Sequence, residues 1–219
     1  MMIHPKRFGA ALALTAGAFL CALHPAHAQT TVFSSFGPGN TFNAGAGFYE
    51  SVNDSQGAEF TVSTSGQLAS VTVAVSNISG TNGAHFYLTD SAANLGNTGA
   101  ALESFTFTHL TPLGTSFTPL VSLSSQHPFL TTGQTYYLYE YETGDSVNAF
   151  DLNTAGVSGT SWSSIDGGAY TSGTGSDFPA FSVQIAAAAV PEPSTLAVLA
   201  VAGLGLGLLM FKSRTRKTA

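Results

Sequence analysis

Between Gln29 and Ala189 the chain has no lysine and no arginine. All six basic residues, Lys6, Arg7, Lys212, Arg214, Arg216 and Lys217, lie near the two ends, whereas eleven of the twelve acidic residues fall inside that stretch. A body without cations cannot neutralise phosphates, which argues against nucleic acid as a partner. It has no guanidinium fork for a carboxylate or phosphate substrate. Its stability has to come from core burial and backbone hydrogen bonds rather than ion pairs.

Cysteine is almost absent as well. Cys21 is the only one, and it lies in a segment expected to be removed. The remaining body then offers no disulfide, thiolate zinc site or cysteine nucleophile. A domain of about 160 residues can bury enough core without such cross-links. No Gly-x-Ser-x-Gly elbow is present; Gly114-Thr115-Ser116 and Gly159-Thr160-Ser161 both lack the closing glycine. No stretch of the body has a sustained helical period.

The two ends read as processing signals. Lys6 and Arg7 precede an apolar run from Phe8 to Leu23, and Ala26-His27-Ala28 has the form of an A-x-A cleavage site. Residues 1–28 are therefore expected to be a signal peptide, handled by the Sec translocon and signal peptidase, with Gln29 as the mature N-terminus. The other reading is a permanent N-terminal anchor, against which Pro25 and the A-x-A site stand.

At the far end, Pro191-Glu192-Pro193 leads into an uncharged run from Leu196 to Phe211. The basic tail follows with Lys212, Arg214, Arg216 and Lys217. As a helix the run would extend about 24 Å, slightly short of a hydrocarbon core of ~30 Å. The basic tail would fix its C-terminal side in the cytoplasm. The order of Pro-Glu-Pro, transmembrane helix and basic tail over residues 190–219 resembles the PEP-CTERM sorting signal of Gram-negative bacteria that make exopolysaccharide. The resemblance implies recognition by an exosortase, a membrane transpeptidase. It also implies transient anchoring in the inner membrane, cleavage near Pro-Glu-Pro, and delivery to the cell surface or extracellular matrix. A plain membrane anchor is the alternative.

Residues 29–189 read as an all-β, two-sheet antiparallel sandwich, jelly-roll-like. Short β-prone runs alternate with turn clusters. Strands are predicted over residues 31–36, 58–63, 68–76, 84–90, 101–108, 115–123, 135–142, 146–151, 161–165 and 180–185. Breakers are predicted at 37–40, 79–83, 96–99, 132–133, 167–168 and 172–175. Period two is clear in four places, among them Phe181, Val183 and Ile185, which alternate with Ser182 and Gln184. Val71, Val73 and Val75 share a face; so do Phe105 and Phe107; Tyr137, Tyr139 and Tyr141 alternate with Tyr136, Leu138, Glu140 and Glu142. The segments Ala58–Val62, Leu68–Val73, Phe86–Asp90 and Leu130–Leu138, with Trp162 before Phe181-Ser182-Val183, resemble the choice-of-anchor surface domains, type R most of all. Those domains carry no assigned catalysis, so the resemblance implies a surface role and no site.

Chemistry-bearing candidates are few. His85, His109 and His127 have no zinc-type spacing and read as structural or solvent-facing. Glu140 and Glu142, two apart on one strand, would be ~7 Å apart on one face. That pair could serve glycoside hydrolysis, but reads more simply as a solvated strand face. No cofactor is expected; calcium is a more plausible ion than zinc, because uncompensated carboxylates such as Asp145, Asp151, Asp166 and Asp177 lie in or beside loops. Trp162, Tyr87, Tyr136 and Tyr170 are candidates for stacking on sugar rings, with core packing as the competing role.

The resulting expectation is a non-enzymatic surface or matrix protein linked to exopolysaccharide or biofilm. A carbohydrate-binding module, calcium-dependent or not, is the alternative, and a glycan-cleaving enzyme the third.

Overall fold

The computed structural model describes residues 28–142 and 144–187. The expected signal peptide, the Pro-Glu-Pro, the apolar helix and the basic tail lie outside the described residues. Among the described residues no helix is long and apolar enough to cross a membrane.

Fourteen strands run in order: β1 Gln29–Ser34, β2 Phe42–Glu50, β3 Ser55–Thr61, β4 Gly66–Val73, β5 Val75–Ser79, β6 Gly83–Thr89 and β7 Glu103–Thr108. They continue with β8 Leu120–Leu123, β9 Phe129–Leu130, β10 Thr135–Glu140, β11 Val147–Asn153, β12 Gly159–Ser164, β13 Thr171–Gly175 and β14 Phe181–Ala186. The only helical pieces among the described residues are three single-turn 3-10 helices. A six-stranded sheet has the order β13-β12-β3-β10-β6-β7. A five-stranded sheet has the order β1-β14-β4-β8, with β9 also on β4. A third sheet, β2-β11-β5, has three strands. All the strand pairs are antiparallel.

The inner faces follow from the period-two pattern. In the six-stranded sheet, Ala58 stands opposite Leu138, Leu138 opposite Leu88, and Phe86 opposite Phe105. In the five-stranded sheet, Val71 pairs with Val183 and Val73 with Phe181. These side chains, with Phe60, Tyr136 and Ile185, form one buried cluster shared by both sheets. Each large side chain removed from water there contributes about 1.5–3 kcal/mol, the term that replaces the missing ion pairs. The all-β, antiparallel architecture is thus the expected one, but with three sheets where two were predicted.

Several expected boundaries change. The predicted strand 68–76 breaks at Ala74: Val73 ends β4 in the five-stranded sheet and Val75 starts β5 in the third. Both valines still reach the common core. Of the predicted strand 115–123, only Leu120–Leu123 pairs. The predicted breaker 172–175 is instead strand β13, paired to β12 across the turn at Asp166-Gly167. Every residue of β13 is exposed, so its pairing is carried by backbone alone and leaves no hydrophobic pattern to read. Strand β2 was not expected either. Its glycines look like breakers, but Gly47 lies where a Cβ would come within 2.8 Å of the Phe150 carbonyl oxygen, so close backbone approach requires it.

Candidate functional site

The outer face of the six-stranded sheet is aromatic. Across β6, β10, β3 and β12 one row reads Tyr87, Tyr139, Gly57, Trp162. Tyr87 stacks on Tyr139, with ring centroids 5.5 Å apart and planes inclined by 25°. Tyr137, one step along β10, meets Trp162 edge-on at 5.9 Å. Trp162 Nε1 donates to Glu59 Oε2 at 3.4 Å. Tyr139 is fully buried beneath this face.

At the end of the sheet where β3 begins and β10 stops, the face opens into a cleft of about 530 Å³. Its walls come from four places. Tyr141 follows β10, Trp162 lies on β12, Ala169 and Tyr170 lead into β13, and the loop 92–97 closes the opposite side. Asn53 and Asn97 also line it. Tyr170 is held by a short relay. Its hydroxyl lies 2.5 Å from Ser55 Oγ, and Ser55 Oγ donates to the Glu140 carbonyl oxygen. Burial raises the Tyr170 phenol to about 12, so it stays neutral at physiological pH.

The four proposed sugar-stacking residues therefore separate. Trp162 and Tyr170 meet at one cleft. Tyr87 shares the outer face but is separated from Trp162 by the two strands β3 and β10. Tyr136 is corrected to a core residue: it points inward, packs on Phe60 with centroids 5.9 Å apart, and its hydroxyl accepts from the Thr131 N–H at 2.9 Å. Its parity with Leu138 fixes this, because one face of β10 is the core face. Tyr141, Asn53 and Asn97 were not expected at the site; only the odd parity of Tyr141 with Tyr137 and Tyr139 signalled its face.

The second notable cluster is acidic and enclosed. Glu140 continues the inward face of Tyr136 and Leu138, and is fully buried. Glu142 is 3% exposed. The expected solvated strand face is thus overturned: the third sheet covers it. From β11 the Asn148 amide donates to Glu140 Oε1 at 2.8 Å and reaches Glu142 Oε1 at 3.5 Å. The His85 N–H donates to Glu142 Oε1 at 2.7 Å. Glu50, opposite Asn148 in the β2–β11 register, is also fully buried. The Gln56 N–H faces it, yet neither Glu50 oxygen completes a hydrogen bond. Asp151 is buried too, with Oδ2 accepting from Ser76 Oγ at 2.7 Å and Oδ1 unpartnered.

Without cations nearby, desolvation dominates these groups. Burial, then the neighbouring Glu140, holds Glu50 well above the ordinary carboxylate range. Burial, then Glu142, does the same to Glu140. Burial raises Glu142 against the opposing His85 N–H, and pushes Asp151 up to about 7. In the folded chain the charged forms of Glu50 and Glu140 are therefore disfavoured. Neither Glu140 nor Glu142 lines the cleft, and their burial keeps them from a glycan chain.

The loop aspartates do not assemble. Among the described residues no three His, Cys, Asp or Glu side chains stand where they could hold a metal ion. Asp145 accepts from Thr81 Oγ1 at 2.5 Å, Asp166 donates its N–H to Asp54, and Asp151 is the buried group above. The histidines are equally separate: His85 lies 3.3 Å from Thr106 Oγ1, His109 3.1 Å from Thr108 Oγ1, and His127 3.1 Å from the Leu68 carbonyl oxygen.

The chain's C-terminal end decides its destination. Residues 189–217 match the PEP-CTERM protein-sorting motif. This PEP-CTERM end marks an exported protein sorted by an exosortase to the cell surface or beyond. The match lies outside the sandwich and lends no support to the resemblance of the body to choice-of-anchor domains. No curated protein matches the chain.

Proposed function

We propose that the chain is a non-catalytic surface or matrix protein, released from its transient inner-membrane anchor by an exosortase and acting in extracellular polysaccharide as an adhesive component. The observation that carries this reading is the PEP-CTERM match at residues 189–217 behind a closed all-β body. The cation-free body suits a crowded exterior, because its uniform negative charge opposes self-association. Intact-mass measurement of the protein from cells and from medium, with and without the exosortase, tests it. The expected product lacks residues 1–28 and everything beyond the Pro-Glu-Pro region, and accumulates uncleaved when exosortase is missing. Recovery from the cytosol with Met1 and Ala219 both present overturns it.

The aromatic cleft favours a second, compatible reading, a carbohydrate-binding module. Trp162 and Tyr170, on either side of the β12–β13 turn, share one opening with Tyr141, from the end of β10, and with Asn53 and Asn97. Aromatic faces with a few amides and hydroxyls suit a ligand with an apolar face and a polar rim.

A further inference from the structure

We propose that the cleft between Trp162, Tyr141 and Tyr170 binds an uncharged saccharide, and that acidic polysaccharides are excluded from it; this deepens the carbohydrate-binding reading and rests on it.

The lining of the cleft decides what it can hold. Its volume, about 530 Å³, lies within the range of ~300–1,000 Å³ typical of small-ligand sites. Three aromatic side chains border it, each half-buried, so each keeps accessible surface. Their positions are set from behind. Trp162 is fixed by its Nε1 bond to Glu59 and by the edge of Tyr137. Tyr170 is fixed through Ser55 and lies edge-on to Tyr139 at 6.4 Å. Rings held this way lose little further freedom when a ligand arrives.

The polar complement is just as specific. Asn53 and Asn97 each offer a carbonyl acceptor and an NH₂ donor. Hydroxyl groups need partners of both kinds, and amides supply both. No residue lining the cleft carries a formal charge. Around it, Asp54 accepts from Ser51 Oγ and from the Asp166 N–H, Glu59 accepts from Trp162, and Glu50, close to Tyr170, is fully buried. With no lysine or arginine anywhere in the body, a uronate or sulfated sugar finds no counter-charge and meets a field of one negative sign. A cation finds aromatic faces but no free carboxylate in the wall. What remains is a neutral ring with a C–H face for the aromatics and hydroxyls for the amides.

The chain supplies its own reporter. Trp162 is its single tryptophan, so all indole emission comes from this wall. The full-length protein, in a detergent without a sugar headgroup, is titrated with dextran, galactomannan and cello-oligosaccharides as neutral probes. Alginate and polygalacturonate serve as acidic ones. Saturable change in emission is expected with at least one neutral probe and with neither acidic probe. Affinity electrophoresis reads the same binding without the indole. There Trp162→Ala and Tyr141→Ala, each with unchanged far-ultraviolet circular dichroism, are expected to weaken retardation about ten-fold or more. A chelator is expected to change nothing, since no carboxylate lines the cleft.

Binding that survives both substitutions overturns the site. Binding confined to the acidic probes, or abolished by chelator, overturns the ligand class while sparing the carbohydrate-binding reading. Silence across all probes overturns both, and leaves the sorting assignment to the mass measurement.

Discussion

Asp151→Asn should make the protein relatively more stable as pH rises. Asp151 is ordinarily ionised above about 3.8, but burial lifts it to about 7 in the folded chain. Below about pH 3.8 it is protonated in both states, and its contribution to stability is fully present. Between the two values the unfolded chain releases the proton and the folded chain keeps it. Folding then loses about 1.4 kcal/mol per pH unit, until the folded group ionises as well. From about pH 5 to about pH 8 the loss is on the order of 3 kcal/mol. Asparagine does not titrate and can still accept from Ser76 Oγ. Glu50, Glu140 and Glu142 shift in the same direction but are present in both proteins, so they largely cancel in the difference. The assay is urea unfolding of both proteins, followed by Trp162 emission at the two pH values. The stability of Asp151→Asn minus that of the parent should rise by about 3 kcal/mol from the lower pH to the higher. A difference that stays flat, or moves the other way, refutes the placement of Asp151 in a desolvated site.

Glu103 should behave with the opposite sign. Burial would raise its carboxyl, but hydrogen bonds from Ser124 Oγ, Ser125 N–H and Oγ, and Gln126 N–H outweigh that and hold it below the ordinary value. Its contribution is present above the ordinary glutamate range and lost as pH falls through the lowered folded value. Glu103→Ala should cost about 2–4 kcal/mol near neutrality and leave the 124–127 loop open to rapid amide exchange, both readable by denaturation and hydrogen exchange. Unchanged protection in that loop would refute the cap. Tyr136→Phe should cost about 1 kcal/mol, through the lost acceptor for Thr131 N–H, and leave polysaccharide retardation untouched. A loss of binding there would return Tyr136 to the sugar face.

The sandwich was legible where side chains alternate. Phe105 with Phe107, and Val71 with Val73, read correctly because one face of each strand meets the core. The same rule already placed Glu140 and Glu142 inside, since they share parity with Tyr136 and Leu138. Their charge argued for solvent and prevailed in the reading. The folded chain resolves that conflict through burial that disfavours their charged forms, through the Asn148 amide, and through a third sheet whose strand β2 is too rich in glycine to show a period. The cleft was legible only as a list of aromatic residues. Pairing of β12 with β3 sets Trp162 opposite Gly57, and β10 lies on the other side of β3, so Tyr141 comes near only after two pairings. Tyr170 and Asn97 sit on connections, where no periodicity reports direction.

One consequence joins the two clusters. The Glu140 carbonyl anchors Ser55, and Ser55 anchors the Tyr170 ring at the cleft wall. Burial, then Glu142, raises the Glu140 carboxyl on the inner side of the same strand, so its charged form is disfavoured there. Ionising it would load β10 at the residue that supports the relay, from the side the ligand never touches. A domain without lysine or arginine has no internal counter-charge to relieve that load. Whatever disfavours the charged form of Glu140 therefore also favours the geometry of the outer face.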